Sequence, residues 1–266
     1  MKTDAPNNSS RRLLGSTVSL GVGAGAIAWL SPEGTGGAGP AKVVDGVSAS
    51  AYRSVTEAMA DAPSWASAAM KLATEGTLVV LGLLLVLVWW MALRRRDVHG
   101  VAATVMIGIG TVAAYTVSEA VKVVVHEERP CRVVQGAGAA IAECPVLGDW
   151  SFPSNHATLA AGIAVGLAVL RPRLAAVTLP LAVAAALLRV LVGVHYPHDV
   201  LAGVILATSV VVAVLLALTP TATRLVTPLL GRLYRTDPGL GSHHGRHRMA
   251  APDQEDKDRA DTGPGW

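Results

Sequence analysis

Apolar residues in this chain are gathered in runs, and polar and charged residues fall between them. A helix needs roughly 20 residues to cross a bilayer. Runs that approach or exceed this length occupy residues 13–30, 76–93, 98–125, 154–170, 174–192 and 199–218. Backbone groups in lipid must be satisfied within the segment, so each run predicts a helix. The second run, LVVLGLLLVLVWWMAL at 78–93, is the clearest, with Trp89 and Trp90 suited to the membrane interface. The first is Gly-rich and the least apolar. The pattern predicts an all-α polytopic membrane protein with about six transmembrane helices in one bundle.

The polar segments complete this organisation. Residues 1–12 read as a cytoplasmic N-terminal tail, 13–218 as the bundle, and 219–266 as a cytoplasmic tail, mostly disordered. Residues 31–40 form a Gly/Pro-rich loop, and 43–75 reads as a short amphipathic helical region outside the membrane. The Ser-Arg-Arg-Leu-Leu start resembles a twin-arginine signal. No Ala-x-Ala site follows at the usual place, so a retained first helix is expected.

Composition agrees. Of 266 residues, 52% are hydrophobic and 15% charged, against about a quarter charged in a soluble domain. The net charge of +3 does not point to nucleic acid, because no basic stretch is interleaved with aromatics. It sets topology instead, since Lys and Arg stay on the cytoplasmic side. Arg11/Arg12, Arg94–Arg96, Arg171/Arg173 and Arg224/Arg232/Arg235 come to one side with an even number of spans. Both termini are then cytoplasmic, and loops 31–75, 126–153 and 193–198 lie outside. Cys131 and Cys144 share one of those loops, where an oxidising compartment favours a disulfide over two free thiols.

Three polar clusters stand at the outer ends of spans. In the first, Lys122 and Arg129-Pro130 are seven apart, so on a continuing helix the two cations share a face. Taken alone, they read as snorkelling interfacial charges. In the second, Pro153-Ser154-Asn155-His156 precedes an apolar run. That is a helix-start signal with Ser154 as N-cap, and a helix N-terminus suits an anion. The plain alternative is an ordinary cap beside an interfacial histidine. The third is Arg189, His195 and Asp199. Asp199 lies four residues after His195 and can reach back to fix its tautomer. A buried Arg189–Asp199 salt bridge is the rival, but it leaves His195 unexplained. Three cations, two helix starts and two histidines on one membrane face have a phosphoryl group as their common ligand.

Lys-x6-Arg-Pro, then Pro-Ser-x-His, then Arg-x5-His-x3-Asp resembles the type 2 phosphatidic acid phosphatase superfamily, which also includes the vanadium haloperoxidases. The resemblance covers roughly residues 76–218. It implies a phosphatase in which His195 is the nucleophile, Asp199 orients it and His156 is the general acid. Lys122, Arg129, Ser154, Asn155 and Arg189 would bind phosphate, with no metal or other cofactor. Two positions depart from the family: Asn155 stands where Gly is usual before the middle His, and Leu188 where Ser often precedes the Arg. Asn tolerates unusual backbone angles, and no catalytic role falls at Leu188. The non-Gly residue also resembles bacterial undecaprenyl diphosphate phosphatases.

The expected activity is therefore hydrolysis of undecaprenyl diphosphate to the monophosphate on the extracytoplasmic face of the cytoplasmic membrane. The partners are a membrane lipid phosphate and the bilayer, with no nucleic acid. Phosphatidate, phosphatidylglycerol phosphate or a prenyl-phosphoribose phosphate are alternative substrates. A vanadate-dependent haloperoxidase fits six spans poorly. A transporter or assembly protein with a degenerate site is the non-enzyme alternative, and the complete Lys, Arg and His set argues against it. His243, His244 and His247 read as part of a solvated tail.

Overall fold

A computed structural model describes residues 8–32 and 39–235. The expected N-terminal tail up to residue 7, and the tail beyond 235 with its three histidines, lie outside the described residues. Among the described residues the protein is helical, with one isolated parallel bridge between Ala41 and Glu127 and no strand. The helices are α1 (Asn8–Leu30), α2 (Gly46–Ala60), α3 (Ser64–Arg94), α4 (Val98–Val125), α5 (Pro130–Val133), α6 (Asn155–Leu170), α7 (Ala175–Leu191) and α8 (Pro197–Arg235). A 3-10 turn, Pro172–Leu174, joins α6 to α7.

Five of these segments are long and apolar enough to cross a membrane, and α6, with 16 residues, is the short sixth. At 1.5 Å per residue α6 is about 24 Å long, less than the hydrocarbon thickness. The loop ahead of it packs into the bundle end, with Ser151, Phe152 and Ser154 fully buried. Its Ser154 amide donates to the Asp199 carbonyl, 3.0 Å away.

Four boundaries differ from the sequence reading. Helix α1 begins at Asn8 rather than 13, so residues 8–12 of the expected tail are helical. Helix α3 begins at Ser64 rather than 76, so the region expected as outer loop up to residue 75 is partly the first turns of this span. The amphipathic part is α2 alone, which lays Ala49, Tyr52 and Thr56 against the bundle. Helix α8 runs to Arg235, through Pro220 and Pro228, where an end at 218 was expected. Proline removes one backbone donor, but neighbouring groups can satisfy the freed carbonyls of a membrane helix.

Helix α8 is central and packs on α1, α4 and α6. Without a hydrophobic drive between helices in lipid, close packing comes from small residues. Ala160, Ala164, Ala182 and Ala185 fill the contact of α6 with α7, and Ala114, Ala161 and Ala207 that of α4, α6 and α8. Gly203 marks the tightest approach relevant to function: a Cβ there would lie 2.6 Å from the Ser154 carbonyl oxygen and 2.9 Å from Thr158 Oγ1.

Arginines from three of the four groups meet at one end of the bundle, where Arg95, Arg171 and Arg173 line one cavity. Arg171 reaches Asp97 in the α3–α4 turn at 2.7 Å, and Arg12, His99, Arg171 and Thr219 line a common cavity. The three polar clusters lie at the other end.

Gly203→Val should therefore destabilise the protein by at least ~1–3 kcal/mol through overpacking. Gly82→Val, at a position where an added Cβ meets nothing within 4 Å, should cost much less. Melting of the two variants in one detergent checks this, and equal losses would contradict it.

Candidate active site

Helix α4 ends where His126 takes the left-handed conformation, with φ 49° and its amide on the Lys122 carbonyl. The helix does not continue to Arg129, so a shared face is not what brings Lys122 and Arg129 together. Arg129 instead precedes Pro130, which opens the one-turn helix α5. The convergence comes from Asp149, on the loop returning toward α6. Its carboxylate takes Arg129 Nη2 at 2.9 Å and Lys122 Nζ at 3.7 Å. Lys122 also pairs with Glu119 at 3.2 Å. Both cations are almost fully buried, whereas Asp149 and Glu119 are half exposed. Burial pushes the Asp149 carboxyl up, but the Arg129 hydrogen bond and the charges of Arg129 and Lys122 outweigh it and hold it below the usual range.

Cys131 and Cys144 form a disulfide across the same loop. Backbone bonds tie the loop down further: the Ala142 amide donates to the Val192 carbonyl and the Ser151 amide to the Glu127 carbonyl.

The turn between α7 and α8 holds His195. Gly193 sits at φ 82° against Ala140, a conformation and a space that suit glycine. His195 is buried between Arg129 and Asp199. Its Nδ1 lies 3.2 Å from Asp199 Oδ2 and its Nε2 3.1 Å from Arg129 Nη1. A guanidinium only donates, so Nε2 carries the lone pair and Nδ1 the proton given to Asp199. Burial lowers the His195 pKa to about 3; the Asp199 hydrogen bond opposes this, and Arg129 reinforces it. The imidazole is thus neutral at neutral pH, with its Nε2 lone pair directed at Arg129.

Asp199 does not pair with Arg189, which removes the salt-bridge alternative. Its Oδ2 accepts from the Tyr196 amide at 2.8 Å and from the Ser151 hydroxyl as well as from His195.

Ser154 caps α6 by position, but its hydroxyl makes no cap bond and is buried without a partner. Arg189, in the last turn of α7, likewise keeps a buried Nε with no hydrogen-bond partner. Its charge is felt by Arg129, His156 and His195, so it belongs to the same group of charges. Asn155 accepts from Ser118 at 2.9 Å and donates to Glu119 at 2.6 Å. His156 Nε2 is 3.0 Å from Glu75, an exposed carboxylate on α3.

All eight residues singled out in the sequence therefore lie at one end of the bundle. Lys122, Arg129, Arg189, His195 and Asp199 form the inner part, and Ser154, Asn155 and His156 stand at the start of α6. The acids that hold these groups, Glu75, Glu119 and Asp149, and the hydroxyl of Ser151 were not anticipated. Glu119 was discernible as an acid three residues before Lys122 on one helix; Glu75 and Asp149 carry no spacing signal.

One other set is close enough to share a cation among the described residues: Glu127, His198 and Asp199. It lies behind the dyad, and burial with the Asp199 charge pushes the Glu127 carboxyl up to about 8. The site proper offers cations and imidazoles where a catalytic metal site offers several carboxylates. Such an arrangement can hold a tetrahedral oxyanion against a neutral, oriented imidazole.

Known proteins share these features. Residues 103–222 match the PAP2 superfamily. Decaprenylphosphoryl-5-phosphoribose phosphatase of Mycobacterium tuberculosis, from strains CDC 1551 and H37Rv alike, is 33% identical over 158 residues. That stretch is 59% of this chain and 82% of the relative. The crystal structure of a transmembrane PAP2-type phosphatidylglycerolphosphate phosphatase from Bacillus subtilis superposes with a TM-score of 0.50 at 19% identity. It covers 84% of this chain and 98% of the other, and at that identity the likeness speaks for the fold alone. The match of 103–222 spans α4 through most of α8, which carry the clusters. With a relative this similar over most of its own length, the chain belongs to the PAP2 superfamily and is one of its phosphoric ester hydrolases.

Proposed function

We propose that this lipid phosphatase removes the terminal phosphate of an isoprenoid-linked lipid at the extracytoplasmic face, through a phosphohistidine on His195 and without a metal. The observation that carries the reading is the pair of buried donors left without partners at this end of the bundle, Arg189 Nε and Ser154 Oγ, together with a His195 lone pair that faces Arg129. Burying such groups unpaired costs roughly 1–3 kcal/mol each. A phosphate brings oxygens for both.

In the first step His195 Nε2 attacks phosphorus as Arg129 Nη1 turns from the nitrogen to a phosphate oxygen. Lys122, Arg129, Arg189 and Ser154 hold the oxygens, stabilising the charge of the transition state. The N–P bond forms, the P–O bond to the lipid head group breaks, and His156 gives its proton to the departing oxygen. Asp199 stabilises the imidazolium that develops on His195. Water then attacks phosphorus and yields a proton to His156. The N–P bond breaks, and inorganic phosphate and neutral His195 are released.

The side of the membrane follows from charge. Arginines from three of the four groups gather opposite the site, and the positive-inside rule assigns that end to the cytoplasm. The Cys131–Cys144 disulfide then falls in an oxidising compartment.

For the head group, similarity to the Mycobacterium tuberculosis enzyme supports a prenyl-linked sugar phosphate. Glu75 beside His156 leans the same way. A carboxylate near the proton donor accepts from sugar hydroxyls and repels a charged leaving phosphate. Undecaprenyl diphosphate is the second reading, favoured by Asn155 in the middle motif.

His195→Ala should lose at least ~10³-fold in kcat, of the order seen when a nucleophile of this kind is removed. An acid-labile phosphate should be trapped on wild type and not on the variant. Near-normal turnover in the variant would sink the nucleophile assignment.

Activity should persist in excess EDTA, and vanadate should compete with substrate because it mimics five-coordinate phosphorus. Loss of activity on chelation with recovery on adding a divalent ion would contradict the cation-based site.

A prenyl-phosphoribose phosphate, undecaprenyl diphosphate, phosphatidylglycerol phosphate and phosphatidate, competed at equal surface concentration, separate the substrates. The sugar phosphate should have the highest kcat/KM. A preference for phosphatidate would overturn the isoprenoid assignment and leave the mechanism standing.

A further inference from the structure

The two oxygens of Asp199 have unequal surroundings. Oδ2 takes the Tyr196 amide, the Ser151 hydroxyl and His195 Nδ1. Oδ1 is equally buried and makes no hydrogen bond. What faces it is Nε2 of His198, at 3.3 Å. The same nitrogen lies 3.2 Å from both oxygens of Glu127, a fully buried carboxyl whose Oε1 also lacks a hydrogen bond. His198 Nδ1 is 2.8 Å from Ser48 Oγ on α2. The ring is flanked by Tyr196, stacked at 5.3 Å, and by Phe152 at 5.8 Å.

Two buried carboxyl groups facing one another need a proton or cation between them. Among the described residues, the donor that faces both is the N–H of His198 Nε2. Its other nitrogen is committed to Ser48, so the ring cannot flip without breaking that contact. Tyr196, in turn, donates to the Val43 carbonyl at 2.6 Å, which fixes the stacking partner to the segment ahead of α2.

We propose that His198, anchored on Ser48 and shared between Glu127 and Asp199, is a positioning residue for the reaction. It holds Oδ1 so that the carboxylate keeps the rotation that presents Oδ2 to His195. The inference rests on the reading of His195 as nucleophile. Without His198 the carboxylate loses the donor facing Oδ1 and is held through Oδ2 alone, so its plane, and with it the His195 ring, is less tightly fixed. Phosphate binding by Lys122, Arg129 and Arg189 does not involve these atoms. The cost therefore falls on kcat and not on KM.

The test compares His198→Ala, His198→Gln and Ser48→Ala in the full-length protein in detergent, with whichever lipid phosphate of the panel above wild type turns over fastest as substrate, in mixed micelles, and vanadate as inhibitor. His198→Ala should lower kcat on the order of 10–100-fold, the size seen for groups that orient a functional imidazole. KM and the vanadate inhibition constant should stay within about twofold of wild type, consistent with untouched phosphate contacts. His198→Gln, whose amide N–H can face Oδ1, should recover much of the loss. Ser48→Ala, which removes only the Nδ1 anchor, should show a smaller fall in kcat at unchanged KM, and it decides the matter if His198→Ala does not fold.

Unchanged kcat in His198→Ala would overturn the proposal. So would a parallel loss of kcat and vanadate binding in His198→Ala with no recovery in His198→Gln, which marks a merely structural role. A stoichiometric divalent metal on wild type that is lost in His198→Ala and Glu127→Gln would also overturn it, because the cluster would then be a metal site. Normal His198→Ala turnover alongside a dead His195→Ala defeats this inference alone. An active His195→Ala defeats the mechanism on which it rests.

Discussion

Charge is expensive to bury, and the functional end of this bundle is arranged around that cost. Lys122, Arg129, His195, Asp199 and Glu127 are all nearly or fully buried at the end of apolar helices. An ionised group there persists only when paired and hydrogen-bonded. The pairing is done by segments distant in sequence. Asp149 on the long loop bridges two cations supplied by α4 and its exit. The start of α8 supplies Asp199, which gathers His195, Ser151 and its own Tyr196 amide. The loop, the turn after α7 and the first turn of α8 therefore stand or fall together. The disulfide and the Ala142–Val192 backbone bond add tethers to the same assembly.

Small residues make that assembly reachable. Gly203 allows α8 to approach the Ser154 carbonyl, and this approach sets Asp199 and the start of α6 side by side. Gly162 and Gly166 bring α6 against Thr111 and Ile107 of α4 in the same way. Close helix packing in the membrane region and a compact site at its end are thus one design. The alanine-rich faces of α6 and α7 set the helix spacing, and the spacing sets how far Lys122 and Arg189 must reach.

Much of this was legible in the sequence because two signals are strong. Unbroken apolar runs give membrane helices with little ambiguity, and α4 ends where its run ends, at Val125. His195 and Asp199 at a spacing of four, with Pro197 between them, led to a histidine and carboxylate in contact across a helix start, and the structure has it. Other features depend on tertiary context. Nothing local says that Ser64 starts a helix continuous with the span, or that α8 runs past Pro220. Lys122 and Arg129 were expected to meet along one helix. They meet through Asp149 because His126 turns the chain out of the helix. Long-range partners such as Glu75 for His156 leave no periodic trace at all.

The rim acids also change how the cationic site should be understood. Glu75, Glu119 and Asp149 each contact a residue assigned above to phosphate binding or proton transfer, and each is far more exposed than its partner. A cluster of Lys122, Arg129 and Arg189 without counter-charges would repel itself strongly in apolar surroundings. With three carboxylates at the rim, the cations are held in place before substrate arrives. In the mechanism proposed above, phosphate binding is then an exchange of partners in which Asp149 gives up Arg129 and Lys122 to the incoming oxygens. The gain in affinity is the difference between a phosphate and a half-solvated carboxylate as partner, which is smaller than the full attraction of three bare cations. Such a site binds phosphate reversibly and releases it, as a hydrolase whose product is inorganic phosphate must. Arg189 Nε and Ser154 Oγ stand outside this exchange, because no hydrogen-bond partner occupies them beforehand. In that mechanism a phosphate would meet them without displacing a competing group, and would gain from them what a carboxylate at the rim does not.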